Sequence, residues 1–297
     1  MPAILPRVLL LLFCSSLLAH AGTNPTWTTP VAPFQIADNL YYVGSQELAS
    51  YLVVTPRGNI LINANLATSP PQIRASVQKL GFRWTDTKIL LNSQAHFDHM
   101  AGAAQVIRET HAKNMVMDGD ASVVETGAKT DFLAPSPNVP AFAPAHVDRV
   151  LHDQDTVSLG GVILTAHKTA GHTRGCTTWT MRSHLPGEPA GTFRNIVIVG
   201  GVSFWSEYHF VATPGHAVSY PGIVQNFQHT FALLRALPCD VFLGAHAGYF
   251  DMLAKLERYP KDGPRVFIDP AGYKDFVADA EQTFEQAVAQ QQAAAAN

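Results

Sequence analysis

The segment KILLNSQAHFDH, residues 88–99, joins a short apolar run to a cluster of metal-binding side-chain types. The apolar residues predict a buried strand, and Met100-Ala101-Gly102 indicates that a helix begins soon after it. The loop would then lie at the carboxyl end of a strand, where α/β proteins place their sites. His96, Asp98 and His99 suit metal ions, although a polar loop with hydrogen-bonded histidines explains the same pattern. Further ligands at other strand ends decide between the two.

Length and composition indicate a globular protein. The chain has 297 residues, of which 47% are hydrophobic and 14% charged, so it can bury a large core without a partner. Its formal net charge is -3, and no basic run follows the pattern of a nucleic-acid-binding surface. No nucleic-acid partner is therefore expected. No long apolar heptad pattern is present either, so we expect a monomer.

The N-terminal 21 residues resemble an export signal. Arg7 supplies a positive charge, residues 8–18 an apolar stretch, and Ala19-His20-Ala21 a small-x-small cleavage site. The apolar stretch is too short for a comfortable membrane anchor. We expect a signal peptide at residues 1–21, a single mature domain at 22–297, a periplasmic location, and no membrane association after cleavage.

Apolar periodicity predicts two β-rich halves that each finish in helices. The first half shows a β-meander over residues 34–62, a helix beginning near Pro70, and the strand and loop described above. The second half shows a hairpin around Gly160-Gly161 and, further on, a helical stripe and a last strand at 240–243. A helix is also predicted from Ala271 onward. This order predicts two sheets packed face to face with helices outside.

A proline-rich segment at residues 131–148 separates the two halves. A stiff segment that carries Phe132, Leu133 and Phe142 fits a lid over the site, and it also fits a loop packed on the surface. The sequence leaves both interpretations open.

Two of the thirteen histidines stand apart from the rest. His172 and His246 each follow a predicted strand and are flanked by glycine or alanine, which lets backbone and ions approach closely. With the first cluster they make two sets of three donors, enough for two zinc ions. The six candidate ligands are Gln94, His96, Asp98, His99, His172 and His246.

The Gln-Ala-His-Phe-Asp-His loop, the Gly-His-Thr-x-Gly segment at His172 and the late His246 resemble the metallo-β-lactamase superfamily. Within it the sequence resembles subclass B3 β-lactamases, in the branch that has Gln in place of the first His ligand. The resemblance implies an α+β fold, an αββα sandwich of two mixed β-sheets with helices on the outer faces. It also implies a dizinc site with Gln94, His96 and His172 at the first ion and Asp98, His99 and His246 at the second.

The resemblance further implies an activity. The expected reaction is hydrolysis of the β-lactam amide of penicillins, cephalosporins and carbapenems by a metal-bound hydroxide, which confers antibiotic resistance. Asp98 would ligate zinc and orient the hydroxide, and Ser203 would bind the substrate carboxylate, although Ser203 also fits a turn hydroxyl. Because an amide oxygen is a weaker zinc ligand than imidazole, the ion at Gln94 should be held less tightly.

Two other functions stay open. Lactonases and glyoxalase II-like thioesterases of the superfamily resemble one another in placing a metal-bridging Asp after the strand that follows the His172-type ligand. Here that strand ends at residues 199–203, and no acidic residue occurs between Glu188 and Glu207. A non-catalytic zinc protein would more often have lost a ligand. Cys176 and Cys239 can form at most one disulfide in the mature chain, and the sequence does not show whether they meet.

Overall fold

A computed structural model describes residues 24–296 of the chain. The predicted signal peptide lies outside the described residues. Within those residues, no helix is long and apolar enough to cross a membrane.

The first half of the described chain folds into a seven-stranded mixed sheet. Its strands are β1 (Phe34–Ala37), β2 (Leu40–Tyr42), β3 (Tyr51–Thr55), β4 (Gly58–Ile62), β5 (Thr87–Leu91), β6 (Lys113–Met117) and β7 (Arg149–Leu151). They lie side by side in sequence order. β1 to β4 pair antiparallel, which confirms the predicted meander, and β4 to β7 pair parallel.

The second half forms a five-stranded sheet. Its strands are β8 (Thr156–Leu159), β9 (Val162–Lys168), β10 (Thr177–Ser183), β11 (Arg194–Val199) and β12 (Val241–Gly244). β8 to β11 pair antiparallel in order, whereas β11 and β12 pair parallel. Both sheets are therefore mixed, as expected.

Helices connect the strands of both sheets. They are α1 (Pro70–Lys79), α2 (Phe97–Met100), α3 (Ala103–Thr110), α4 (Ala121–Thr126), α5 (Ile223–Ala236), α6 (Met252–Asp262) and α7 (Pro270–Ala295). Ile73 and Val106 of α1 and α3 belong to the apolar layer on the outer face of the first sheet. Phe227 of α5 and Phe284 of α7 pack in the core that includes the second sheet. The αββα sandwich is thus confirmed.

Alternation along the central strands explains why the first sheet is covered on both sides. Successive side chains of a strand point to opposite faces. Ile60 and Ile62 pack in the core between the two sheets, whereas Leu61 packs against the outer helices. Leu91 and Leu90 of the neighbouring strand divide in the same way. The burial of both faces fits the near-continuous apolar runs of β4 and β5.

The two remaining cysteines are unpaired. Cys176 is buried and Cys239 is partly buried, and both are free thiols in this structure. Cys176 and Cys239 therefore do not form the disulfide that the sequence left open.

Candidate metal centre

The loop after β5 is held by backbone hydrogen bonds at one edge of the sandwich. His96 has an extended backbone and sits at the N-cap of α2, so Asp98 and His99 fall in the first helical turn. The carbonyl of His99 accepts the N–H groups of Ala64 and Asn65 at 3.0 and 2.9 Å. The turn is therefore fixed by its own backbone, and its side chains are free to bind other groups.

His96 and His172 form the first pair of donors. His96 Nδ1 lies 3.0 Å from His172 Nε2. His172 Nδ1 is 2.7 Å from the carbonyl oxygen of Ser203, and because a carbonyl only accepts, Nδ1 carries the proton. Burial, together with the neighbouring His96, lowers the pKa of His172 to about 3. His172 is thus neutral, and its bare Nε2 faces His96.

The loop that carries His172 approaches the strand end of β11 closely. A Cβ atom at Gly201 would lie 2.5 Å from the His172 ring, which no side chain tolerates. Glycine at this position therefore allows the imidazole to reach its place, in keeping with the glycine-rich sequence after β11.

Asp98, His99 and His246 form the second group. One ligand atom of each lies within 4.8 Å of the others, and the two Nε2 atoms are 3.2 Å apart. Burial opposes the charge of Asp98, but the imidazoles of His99 and His246 outweigh it and hold the pKa of Asp98 well below its usual range. Burial also disfavours a charged His246, yet its bonds to Asp98 and Glu47 raise its pKa to about 9. Without a metal, a proton occupies this cluster.

Gln94 lies in the same loop but is engaged differently. Its side chain is buried beside the first pair, and Oε1 accepts the backbone N–H of His96 at 3.2 Å. Its carbonyl oxygen has a second lone pair, so the residue retains an acceptor while this bond is made.

The donor set fits zinc. The bare nitrogen of His172 requires a proton or a cation between it and His96, and the second group gathers a carboxylate and two imidazoles around one point. His96 Nε2 and His99 Nδ1 are buried and make no hydrogen bond. Imidazole and carboxylate donors with few protein partners are the set that zinc prefers.

The chain is similar to several solved metallo-β-lactamases. Residues 49–184 match the metallo-beta-lactamase superfamily. FEZ-1 from Legionella gormanii is 45% identical, over 89% of this chain and 98% of that chain, with a TM-score of 0.83. The chain belongs to the metallo-β-lactamase superfamily.

Two further members of the superfamily match over most of the chain. BJP-1, a subclass B3 metallo-β-lactamase of Bradyrhizobium japonicum, is 33% identical over 91% of this chain and 98% of that chain, with a TM-score of 0.82. LRA-12, a class B3 di-zinc metallo-β-lactamase from an Alaskan soil metagenome, is 34% identical over 90% of this chain and 98% of that chain, with a TM-score of 0.80.

A cavity of about 600 Å³ opens beside the donors of this metallo-β-lactamase. Five of the six candidate ligands line it, His99 being the exception. The other lining residues are Asn24, Trp27, Phe97, Pro137, Asn138, Ser203, Trp205 and Ser206. No lysine or arginine is among the lining residues in the described part of the chain. The volume suits a small-molecule ligand.

Sequence reasoning placed Ser203 in the cavity but missed most of its walls. Trp205, whose ring centre is 5.6 Å from those of His96 and His172, follows Ser203 by two residues, which is a signal that could have found it. Trp27 gives no such signal, because it precedes the first strand. Pro137 of the proline-rich segment lines the cavity, so this segment does border the site.

Acidic side chains outside the donor set were also missed. Glu47 Oε1 is 3.3 Å from His246 Nδ1. Asp131 Oδ2 is 3.5 Å from His96 Nε2, too far for a formed hydrogen bond. Carboxylates beyond the ligand shell commonly orient metal-binding histidines and raise their basicity.

Proposed function

We propose that this protein is a zinc-dependent β-lactamase of the subclass B3 kind, which hydrolyses the β-lactam amide of penicillins, cephalosporins and carbapenems and thereby confers antibiotic resistance. One observation carries the proposal: two clusters of imidazole and carboxylate donors meet at the edge of the sandwich, beside a cavity of substrate size. The relatives named as B3 metallo-β-lactamases, at 33% and 34% identity, support the same activity.

The ligand assignment follows the two clusters. In this proposal Gln94, His96 and His172 hold the first zinc ion, and Asp98, His99 and His246 hold the second. When bound, zinc polarises the amide carbonyl and lowers the pKa of a water to about 7, which makes a nucleophile available at neutral pH.

Asp98 is the residue to which we assign the orientation of the attacking water. Its low pKa keeps the carboxylate ionised, so it accepts hydrogen bonds and does not donate them. It lies in the wall of the cavity, where it can contact a water between the two clusters. No other carboxylate lines this cavity in the described residues.

Ser203 is the residue to which we assign the substrate carboxylate. Its side chain is exposed at the cavity, while its backbone carbonyl holds His172. Because no lysine or arginine lines the cavity in the described chain, hydroxyl and amide donors such as Ser203, Ser206 and Asn138 are available to the anion. Hydrogen bonds to a charged acceptor are stronger than neutral ones.

Unequal zinc affinities are part of the proposal. The amide oxygen of Gln94 is a weaker ligand than imidazole, and it is also bonded to the His96 N–H. Substituting Gln94→His should raise the zinc retained by dialysed protein from about one to about two ions per chain. His246→Ala, which removes a donor of the other cluster, serves as the matched comparison. Unchanged zinc content in Gln94→His would contradict unequal affinity.

We further propose export to the periplasm, cleavage after Ala21 and a monomeric mature domain at 22–297. N-terminal sequencing of protein from the periplasmic fraction should begin at Gly22, and light scattering should give the mass of one chain. Retention of residues 1–21 would contradict the processing.

Hydrolysis assays test the activity. Purified mature protein should open a penicillin, a cephalosporin and a carbapenem, while a lactone and a thioester offered as comparison remain intact. Turnover of the lactone or thioester with all three β-lactams unchanged would move the function to the other hydrolases of the superfamily.

A further inference from the structure

Glu207 joins two walls of the cavity through a single carboxylate. Its Oε1 accepts the hydroxyl of Ser136 at 2.7 Å, and its Oε2 accepts Asn138 Nδ2 at 2.5 Å and Trp205 Nε1 at 2.7 Å. Two of the donors come from the proline-rich segment and the third from the loop after β11. Ser136 and Asn138 are 71 and 69 positions from Glu207 in the sequence, so these two contacts are tertiary.

The turn that Glu207 binds is ordered by its own hydrogen bonds. Ser136 Oγ also accepts the N–H of Asn138 at 3.0 Å, and the carbonyl of Ser136 accepts the N–H of Val139. The turn carries Pro137 and Asn138 into the cavity wall. Glu207 therefore holds a preformed turn, and the position of that turn sets where this wall lies.

The bond to Trp205 fixes the other wall. The Trp205 ring lies 5.6 Å from the rings of both His96 and His172, and it packs edge-on against Tyr208 at 4.9 Å. An indole has one N–H donor, so the bond to Glu207 selects the rotation of the ring over the two histidines. The bond to Glu207 therefore helps to hold the ring beside the two histidines.

A carboxylate suits this position because all three partners donate. The bonds from Asn138 and Ser136 lower the pKa of Glu207, so that the group is ionised at neutral pH. Charge-assisted bonds of this kind are about twice as strong as neutral ones. A glutamine can keep two of the donors on its oxygen and bond the Ser136 hydroxyl with its amide, but without the charge.

We propose that Glu207 is a positioning residue that latches the proline-rich segment to Trp205 and so sets the width of the substrate cavity. The proposal rests on the proposed β-lactamase function. The two walls that Glu207 joins lie outside the set of metal donors. In this proposal they contact the substituents of the substrate, whereas the reacting amide lies at the metal donors. Glu207 thus controls affinity for substrates with bulky side chains more than it controls the chemical step.

The test compares Glu207→Ala and Glu207→Gln with the zinc-loaded wild-type protein. We expect KM for a cephalosporin with a bulky acylamino side chain to rise about tenfold in Glu207→Ala, because three hydrogen bonds are lost. The values of kcat and zinc content should change less than about threefold. The KM of Glu207→Gln should fall between those of the wild type and Glu207→Ala. Ser136→Ala removes the hydroxyl bond to Glu207 and the acceptor of the Asn138 N–H, both outside the cavity lining, and it should raise KM by less than Glu207→Ala does.

Two readouts are independent of turnover. Chymotrypsin should cleave Glu207→Ala faster after Phe132, Leu133 or Phe142, and the tryptophan emission should shift as Trp205 is released. Glu188→Ala removes a carboxylate that pairs with Arg194 far from the cavity, and it should leave all readouts unchanged.

The outcomes separate the latch from the activity. A wild-type protein that opens no β-lactam overturns the proposed function, while cleavage and emission still decide whether Glu207 holds the segment. Unchanged KM, cleavage rate and emission in Glu207→Ala would overturn the latch. A fall in kcat together with lost zinc would also overturn it, because Glu207 would then act on the metal donors.

Discussion

Replacing Asp120 should loosen the loop that carries His172. The carboxylate of Asp120 is fully buried and reaches across to that loop, where Oδ2 accepts the Thr173 hydroxyl at 2.7 Å and Oδ1 accepts the Gly175 N–H at 2.8 Å. Asp120→Ala leaves both donors buried without a partner, at about 1–3 kcal/mol each. We expect the free energy of unfolding to fall by about 3 kcal/mol and Tm by about 6–10 °C.

Asp120→Asn separates the hydrogen bonds from the charge. Its amide can accept from Gly175 and donate to the Thr173 oxygen, so its stability should lie within about 1 kcal/mol of the wild type at pH 5. Burial raises the pKa of the Asp120 carboxyl from 3.8 to about 6, against the bonds from Thr173 and Gly175, which lower it. A carboxyl group whose pKa is raised by folding adds stability at low pH. This stability is lost as the pH rises through the pKa of the folded state.

The pH dependence of the difference in stability between wild type and Asp120→Asn therefore tests the direction of the pKa shift. In zinc-free protein, the wild type should lose up to about 3 kcal/mol relative to Asp120→Asn as the pH rises from about 4 to 7. Urea unfolding at several pH values measures this, and the zinc retained by Asp120→Ala measures the looser loop. Equal stability of the Ala and Asn variants at pH 5 would refute the role of the two hydrogen bonds. A difference between wild type and Asn that does not change with pH would refute the buried charge.

Two further predictions concern other parts of the molecule. Asp269 caps α7 by accepting the Gly272 N–H at 2.9 Å and lies 2.7 Å from the buried Lys255 ammonium, so Asp269→Ala should cost about 2–3 kcal/mol in urea unfolding. Burial opposes the charge of Asp269, but Lys255 and the Gly272 N–H lower its pKa below 3.8. The difference in stability between wild type and Asp269→Ala should therefore shrink only when the pH falls below that value, and equal stability of the two proteins at pH 6 would contradict this prediction. Gly201→Ala should lower kcat/KM at least about tenfold with the fold retained by circular dichroism, because the new methyl group displaces His172; wild-type activity would contradict the close approach.

Local sequence predicted the frame of the molecule because strands and their ends are set by neighbouring residues. The apolar patterns of β1 to β5 indicated strands, and the polar residues after β5 and β12 indicated the donors. His172 and His246 meet the loop of residues 94–99 because the strands that precede them end at the same edge of the sandwich. These features follow from patterns that a few consecutive residues contain.

The walls of the cavity depend on contacts between distant segments, and no local pattern contains them. Trp27 precedes the first strand and reaches the site only through the fold. Glu207 looks like a solvated surface acid until Ser136 and Asn138 are placed beside it. The question of whether the proline-rich segment is a lid or a packed loop could not be decided from its composition, since either role uses the same prolines and aromatic residues.

The most direct measurement is carbapenem and cephalosporin hydrolysis by the purified mature protein, followed by absorbance, with a zinc chelator and then restored zinc. We expect turnover to disappear with the chelator and to return in proportion to the zinc added. We expect His172→Ala to show no turnover at any zinc concentration. A protein that binds zinc but leaves both drugs intact, or that hydrolyses them equally well after the chelator, would contradict the proposed function.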